Sequence, residues 1–393
     1  MKKLIQNKKK LFLFALFLGS ITSLSLPPYN YFLINFITFN IFFILFFKNN
    51  TLKKKVDFFL YGWFFGFGYF FFSLYWISIS LTFDLNFKVL IPIALLLIPG
   101  VLSIFFGLAA LLFSYFLHLN IFSSILTFSV ILAFFEFIRG SIFTGFPWNL
   151  FVFSFSNNLS FLQALSYFGT YGLNLFCITF FLIPSIYILK KTNFDKYLSY
   201  IVFLIFISFF IFGNLRLNNN NFLNVKNENI QIKIISSNID VNRFYNIKNE
   251  EEILFQLIDL SKSDKLNSTI FIWPEGVITS SFIRDIKKYK SIFEENFHKD
   301  EFIILGINDL KNNYKTEIYN SLAVFDNKLN LISVYHKNKL VPFGEFLPLE
   351  NQLSKLGLKK ITNSFQSFSK GTSRDIIKIK NLSILPLICY EVI

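Results

Sequence analysis

Thr269-Ile270-Phe271-Ile272-Trp273-Pro274-Glu275 is a short apolar run that stops at a proline and a carboxylate. Its length, its β-branched and aromatic content and the closing proline read as a strand delivering a charged residue at its carboxyl end. Two more runs end in the same way. Leu331 to Tyr335 delivers His336-Lys337 and continues to Pro342-Phe343-Gly344-Glu345, and Leu382 to Ile388 delivers Cys389-Tyr390-Glu391. Around them, Ile230, Ile232 and Ile234 alternate with Gln231 and Lys233, which is strand periodicity. Asn249-x-x-Glu252 has the form of a capping box ahead of Ile253, Leu254, Leu257 and Ile258 at helical spacing. Phe302 to Leu305 is a further run ending at Gly306, and Asp326-Asn327 between Ser321 to Phe325 and Leu331 to Tyr335 predicts a hairpin. Strands alternating with a helix predict an α/β or α+β layer fold.

In such folds the polar residues at strand carboxyl ends converge on one rim, where ligands bind. Glu275, Lys337 and Cys389 occupy that kind of position, and their chemistry is complementary. A thiol is a strong nucleophile once deprotonated, which a nearby carboxylate base promotes. A lysine donates to the oxyanion of a tetrahedral intermediate and favours the thiolate. Glu345 is placed to orient the lysine or the base. The residues alone leave bland alternatives open: a small buried thiol, a carboxylate that ends a strand, one surface lysine among many. His336 points away from Lys337 if the strand is regular, which argues against a Cys/His dyad.

The upstream half differs in kind. The 393-residue chain is 53% hydrophobic, 20% aromatic and only 16% charged, and the apolar excess lies between Leu11 and Phe212. This divides the chain near Arg216 into a polytopic helical membrane domain, residues 1–216, and a water-soluble domain, residues 217–393. Crossing the hydrocarbon core takes about 20 apolar residues. Seven segments are candidates: Leu11 to Leu26, Tyr31 to Phe47, Phe58 to Leu81, Val89 to Phe116, Ile121 to Ile138, Phe161 to Leu189 and Leu198 to Phe212. The first, second and last are short, which bilayer thinning or snorkelling accommodates. Leu11 to Leu26 has the lysine-rich entry of a signal peptide but no small-x-small cleavage site before Pro27-Pro28, so it reads as a retained anchor.

Loop charge sets the orientation. Lys2, Lys3, Lys8, Lys9 and Lys10 precede the first segment, Lys48, Lys53, Lys54 and Lys55 follow the second, and Lys190, Lys191 and Lys196 follow the sixth. All fall on one side, while the other has little beyond Lys88 and Arg139. The positive-inside rule then puts the N-terminus in the cytoplasm and, after seven crossings, the soluble domain outside. The same placement assigns the net charge of +14 to membrane orientation and against nucleic acid as a partner. Of the two cysteines, Cys177 lies in an apolar segment and Cys389 in the soluble half, so a structural disulfide is not expected. The scattered His118, His298 and His336 offer no metal-ligand spacing, and no cofactor is called for. The 58 phenylalanines carry no functional signal. Glu136, Arg139-Gly140 and Thr144-Gly145-Phe146-Pro147-Trp148 form a polar and aromatic cluster at a segment end, either functional or an interfacial anchor. Tyr75-Trp76 reads as an aromatic belt.

Taken together, Trp273-Pro274-Glu275, Tyr335-x-Lys337-x-x-Leu340-Val341-Pro342-Phe343-Gly344-Glu345 and Cys389-Tyr390-Glu391 resemble the carbon-nitrogen hydrolase (nitrilase) superfamily, whose triad is Glu-Lys-Cys. The membrane half resembles the apolipoprotein N-acyltransferase family through Arg139-Gly140-x-x-x-Thr144-Gly145-Phe146-Pro147-Trp148, Pro28-Tyr29 and Gly169-x-Tyr171-Gly172. The resemblance implies an αββα sandwich and transfer of an acyl chain from a membrane phospholipid, through a cysteine thioester, to the α-amino group of a lipoprotein's diacylglyceryl-cysteine. It implies Glu275 as general base, Lys337 as oxyanion partner, Cys389 as nucleophile and Glu345, Tyr390 and Glu391 as supports. It also implies a bacterial inner-membrane location with the catalytic domain on the periplasmic side. Where the family often has a tryptophan after the first soluble strand, this chain offers Phe244-Tyr245, so Tyr245 takes that supporting place. Family members continue well past the position of Ile393, so the resemblance implies a fragment with an incomplete sandwich. A membrane-tethered amidase using water as acceptor is the nearest rival, and a non-enzymatic membrane protein with a periplasmic binding domain is the rival from another class.

Overall fold

The computed structural model describes residues 7–48, 51–82, 85–142, 145–189, 192–219, 230–239, 250–263, 268–312, 316–342, 344–346 and 367–392. The chain divides into two compact units, Met1–Asn224 and Val225–Ile393.

The first unit is helical: α1 (Lys8–Thr22), α2 (Asn35–Lys48), α3 (Lys55–Leu74), α4 (Ile91–Phe113), α5 (Ile121–Arg139), α6 (Leu165–Leu182) and α7 (Asn193–Asn218). Among the described residues, five helical stretches are long and apolar enough to cross a membrane: Lys55–Thr82, Lys88–Phe113, Ile121–Arg139, Leu165–Ile188 and Asn193–Asn218. The first two apolar segments form shorter helices of 15 and 14 residues. The sixth, expected as one helix from Phe161 to Leu189, is broken. A turn at Leu159–Leu162 precedes α6, Gly169 kinks α6 with φ 65° and ψ 174°, and Pro184 opens a separate turn to Ile188. Glycine occupies that left-handed backbone without strain, and proline starts a helix more readily than it continues one.

Phenylalanine fills the unit's core. Phe39, Phe42, Phe43, Phe65, Phe113, Phe128 and Phe151 are wholly buried, with ring centroids as close as 4.2 Å for Phe42 and Phe65. Helices α1 and α3 touch backbone to backbone, since a Cβ on Gly68 would lie 2.1 Å from the Leu16 carbonyl oxygen. At one end of this pair, Asp57 takes an ion pair from Lys8 at 2.6 Å and the backbone N–H groups of Lys53 and Lys54.

The second unit is built on a mixed sheet of β1 (Ile230–Ile234), β2 (Ser268–Ile272), β3 (Ile278–Phe282), β4 (Phe302–Asn312), β5 (Thr316–Asp326) and β6 (Leu331–His336). The order is β1-β2-β4-β5-β6, with β3 also on β4; β1, β2 and β4 run parallel, and β4, β5 and β6 antiparallel. Period-two alternation sends neighbours to opposite faces. Phe271, Ile303, Leu305 and Phe325 pack on one face with α8 (Glu250–Ser261) and α9 (Lys290–Asn296). Ile270, Ile304 and Val324 pack on the other with Ile377 and Ile379 from the hairpin of β7 (Ile377–Ile379) and β8 (Leu382–Ile384).

Two expected strand ends move. Strand β4 runs through Gly306 to Asn312, because Gly306 marks a close approach rather than a stop: its Cβ would lie 2.8 Å from Glu275 Cα. The run from Leu382 stays extended only as β8, since Pro386 has no N–H to give a ladder, and Cys389–Val392 forms a 3-10 turn. The Asp326 hairpin forms, with Asp326 Oδ1 accepting from the N–H groups of Lys328 and Asn330, both at 2.8 Å. Helix α8 begins at Glu250; Asn249 of the expected capping box lies outside the described residues.

Candidate active site

Lys337 follows β6 directly, and its N–H donates to the Asn320 carbonyl at 2.9 Å, one step beyond the β5–β6 ladder. Its side chain is 1% exposed. The ammonium lies 3.0 Å from Glu345 Oε1 and 3.4 Å from Glu275 Oε1. Burial alone would push this lysine down, but the two carboxylates outweigh it and hold Lys337 above its ordinary value. The group therefore stays protonated at neutral pH and is a donor, not a base.

Glu275 stands three residues past β2, beyond Trp273, whose N–H still donates to the Ile304 carbonyl at 2.8 Å. The Trp273 ring is buried on α9, so the chain turns out of the core at Pro274 and leaves the carboxylate partly exposed. Glu345 is fixed by its own loop: its N–H donates to the Val341 carbonyl at 2.9 Å, and its Oε2 accepts from the Val341 N–H at 2.8 Å. Phe343 of the same motif lies outside the described residues. Asn320, on β5, donates its side-chain amide to Glu275 Oε1 at 2.9 Å and to Glu345 Oε1 at 2.6 Å.

Cys389 opens the 3-10 turn with φ 48°, a left-handed conformation that costs a non-glycine residue about 1–2 kcal/mol. The strained turn keeps the residue accessible, and its thiol lies in the electrostatic field of Glu275, Lys337 and Glu345. Loss of hydration pushes the thiol up and Glu275 adds to that push. Lys337 and the Tyr390 N–H pull it back without cancelling the rise. A thiol in this state needs a base to become a nucleophile, and the flanking carboxylate is the group able to serve.

Glu391 ties this turn to the lysine's loop. Its Oε1 accepts from Tyr335 Oη at 2.7 Å, the Asn338 N–H at 2.8 Å and the Lys339 N–H at 3.1 Å, and its Oε2 accepts from the Ile388 N–H at 2.9 Å. These donors hold the carboxyl below its usual value although burial opposes them. Tyr390 is buried, with Lys339 Nζ 5.2 Å from its ring centre. Tyr245 lies outside the described residues. His336 points the other way: Nδ1 is 2.9 Å from Ser321 Oγ and Nε2 3.6 Å from Asp309 Oδ2. Glu275, Lys337, Glu345 and Cys389 thus converge, and Glu391 buttresses them. Asn320 was not singled out from the sequence; a polar residue inside the apolar run Tyr319 to Phe325 was its one signal.

Residues 18–183 match the family model described as apolipoprotein N-acyltransferase N-terminal domain, and residues 253–393 match the carbon-nitrogen hydrolase model. The chain is 31% identical to the apolipoprotein N-acyltransferase of Rhodopseudomonas palustris, over 96% of this chain and 73% of that protein. It is 32% identical to the protein of that name from Rickettsia typhi, over 84% of this chain and 66% of the relative. With the Bradyrhizobium diazoefficiens protein of that name the identity is 30%, over 97% and 73%.

Proposed function

Because this chain belongs to the apolipoprotein N-acyltransferase family, we propose that Glu275, Lys337 and Cys389 carry acyl transfer from a phospholipid to a diacylated lipoprotein through a thioester. The single observation that carries the reading is the buried Lys337 held between Glu275 and Glu345 with the Cys389 thiol in their field.

In the first half-reaction Glu275 takes the thiol proton and the thiolate attacks the ester carbonyl of the lipid. The oxygen of the tetrahedral intermediate gathers negative charge beside the Lys337 ammonium, which is already desolvated and therefore effective. Collapse breaks the ester C–O bond, Glu275 returns the proton to the departing alkoxide, and a lysophospholipid leaves. In the second half-reaction the α-amino group of the diacylglyceryl-cysteine attacks the thioester. Glu275 takes a proton from the amine as the amide C–N bond forms, Lys337 again faces the oxyanion, and the Cys389 thiolate departs and is reprotonated. Glu345 and Asn320 keep the lysine and base in register.

The division into a membrane domain, residues 1–216, and a carbon-nitrogen hydrolase domain from 217 onward belongs to this reading, as do seven crossings and the αββα sandwich. So does a bacterial inner-membrane site with the hydrolase domain on the periplasmic side; the one-sided lysines support that orientation. A lipid donor and a lipid-anchored acceptor are substrates suited to an enzyme with such a membrane domain.

The test is incubation of the full chain, in detergent or lipid, with a phospholipid bearing a labelled acyl chain. The expected result is covalent label that hydroxylamine releases and that Cys389→Ser does not acquire. A folded protein that never takes label in the presence of lipid would overturn the acyl-donor assignment.

A further inference from the structure

We infer that Arg374 is a positioning residue for the nucleophile turn, acting through Glu391 and Tyr335. The inference rests on the acyl-transfer reading above for its rate readout, but its geometry stands apart from it. The segment Phe368 to Arg374 runs as a strap over the loops that carry the site. The Phe368 N–H donates to the Glu345 carbonyl at 2.9 Å, the Ser369 N–H to the Ile318 carbonyl at 2.7 Å and the Gly371 N–H to the Lys337 carbonyl at 2.9 Å. Gly371 lies so close to β6 that a Cβ would sit 2.2 Å from the His336 carbonyl oxygen. The strap's backbone therefore grips both Lys337 and Glu345.

Its side chain reaches the third partner. Arg374 Nη2 lies 3.3 Å from Glu391 Oε1, and Arg374 Nε donates to Tyr335 Oη at 3.4 Å. Asn338, whose N–H also binds Glu391, gives its amide to the Ser373 carbonyl at 2.7 Å and to Tyr335 Oη at 3.3 Å. Glu391 is wholly buried, and Arg374 is its ion-pair partner among the described residues. A buried carboxylate that accepts from the Ile388 N–H fixes the start of the Cys389 turn, so what steadies Glu391 steadies the thiol against the lysine held by the same strap. A forked guanidinium bridges Glu391 and Tyr335 together, which an ammonium does less well.

The experiment uses the full chain and two variants, R374M and R374K. Label from acyl-labelled phosphatidylethanolamine gives the acylation rate, and iodoacetamide alkylation of Cys389, mapped by peptide mass, gives the thiol's titration. R374M is expected to remain folded and to acylate on the order of tenfold more slowly at saturating lipid, with half-saturation unchanged, because orientation is lost and lipid binding is not. Its alkylation midpoint is expected to move to lower pH, since a loosened turn lets water back to the thiol. R374K is expected to recover part of both. Wild-type rates and titration in R374M would overturn the inference, as would losses in both variants that merely track loss of folded protein. If the parent chain takes no label, the acyl-transfer reading fails, and the alkylation profiles still decide the role of Arg374.

Discussion

Glu275 and Glu345 bring two carboxylates to one ammonium, and like groups this close need shared donors to sit together. Asn320 donates to both, and the Lys337 ammonium faces the same two oxygens. The thiol then answers to opposed neighbours, the base raising it and the lysine lowering it. The signs are testable one charge at a time. Alkylation of Cys389 by iodoacetamide is expected to titrate above an ordinary thiol in the parent chain. In Glu275→Gln the midpoint falls, because a repelling anion is gone; in Lys337→Met it rises, because the stabilising cation is gone. A common shift in both variants, or none, would remove the thiol from the field assigned to it. The two carboxylates, which keep Lys337 protonated against the opposing effect of burial, are also the reason that the site does not borrow its base from it.

At the scale of elements, the irregular backbone of residues 145–150, between α5 and the 3-10 turn Phe151–Phe155, needs hydrogen-bond partners that lipid does not offer. Arg139 and Glu136, both wholly buried, supply them from within. Arg139 Nη1 donates to the carbonyls of Phe146 at 2.6 Å and Trp148 at 2.8 Å, while Asn174 links Glu136 Oε2 at 2.5 Å to the Val152 N–H at 3.0 Å. Arg139→Met removes the donor to both carbonyls and the cation beside Glu136, and breaking a buried pair costs about 3–5 kcal/mol. Thermal unfolding in detergent is expected to show a marked loss of stability, and an unchanged melting curve would mean that the loop is held by other means. Several elements were legible in the sequence because their signal is local. The alternation of Ile230 to Ile234, the Asp326 turn and the charged ends of three apolar runs each need only neighbours to be read. What depends on contact between distant segments was not. Nothing local distinguishes a glycine that ends a strand from Gly306, which admits Glu275, and Asn320 inside β5 gains meaning only when two carboxylates arrive from other loops. Pro386, by contrast, was a local signal that the run toward Cys389 stops laddering before the nucleophile.

At the scale of the whole molecule, the two short helices decide whether the chain crosses the membrane five times or seven. Helix α1 rises roughly 22 Å at 1.5 Å per residue, and the 3-10 turn Ser23–Ser25 extends it. Its packing supports a crossing more strongly than its length does. Lys8 pairs with Asp57 at the start of α3, and Leu16 and Gly19 lie against Gly68 and Phe65 farther along, so α1 runs parallel to α3 over most of its length. Helix α2 runs back alongside them, with Thr38 near its start bonded to Thr22 at the end of α1 and Phe42 and Phe46 packed on Tyr61 and Phe58 of α3. If α3 crosses, α1 and α2 lie at the same depth beside it. Both a five-crossing and a seven-crossing chain put the hydrolase unit outside when the start of α3 is inside, so labelling that unit does not separate them. The connection between α1 and α2 does, since it lies outside only if both helices cross. Tyr29 is exposed there, and a Tyr29→Cys variant treated in intact cells with a membrane-impermeant maleimide is expected to be labelled. Protection of that cysteine, with labelling only after the membrane is permeabilised, would leave α1 and α2 on the cytoplasmic side and reduce the crossings to five.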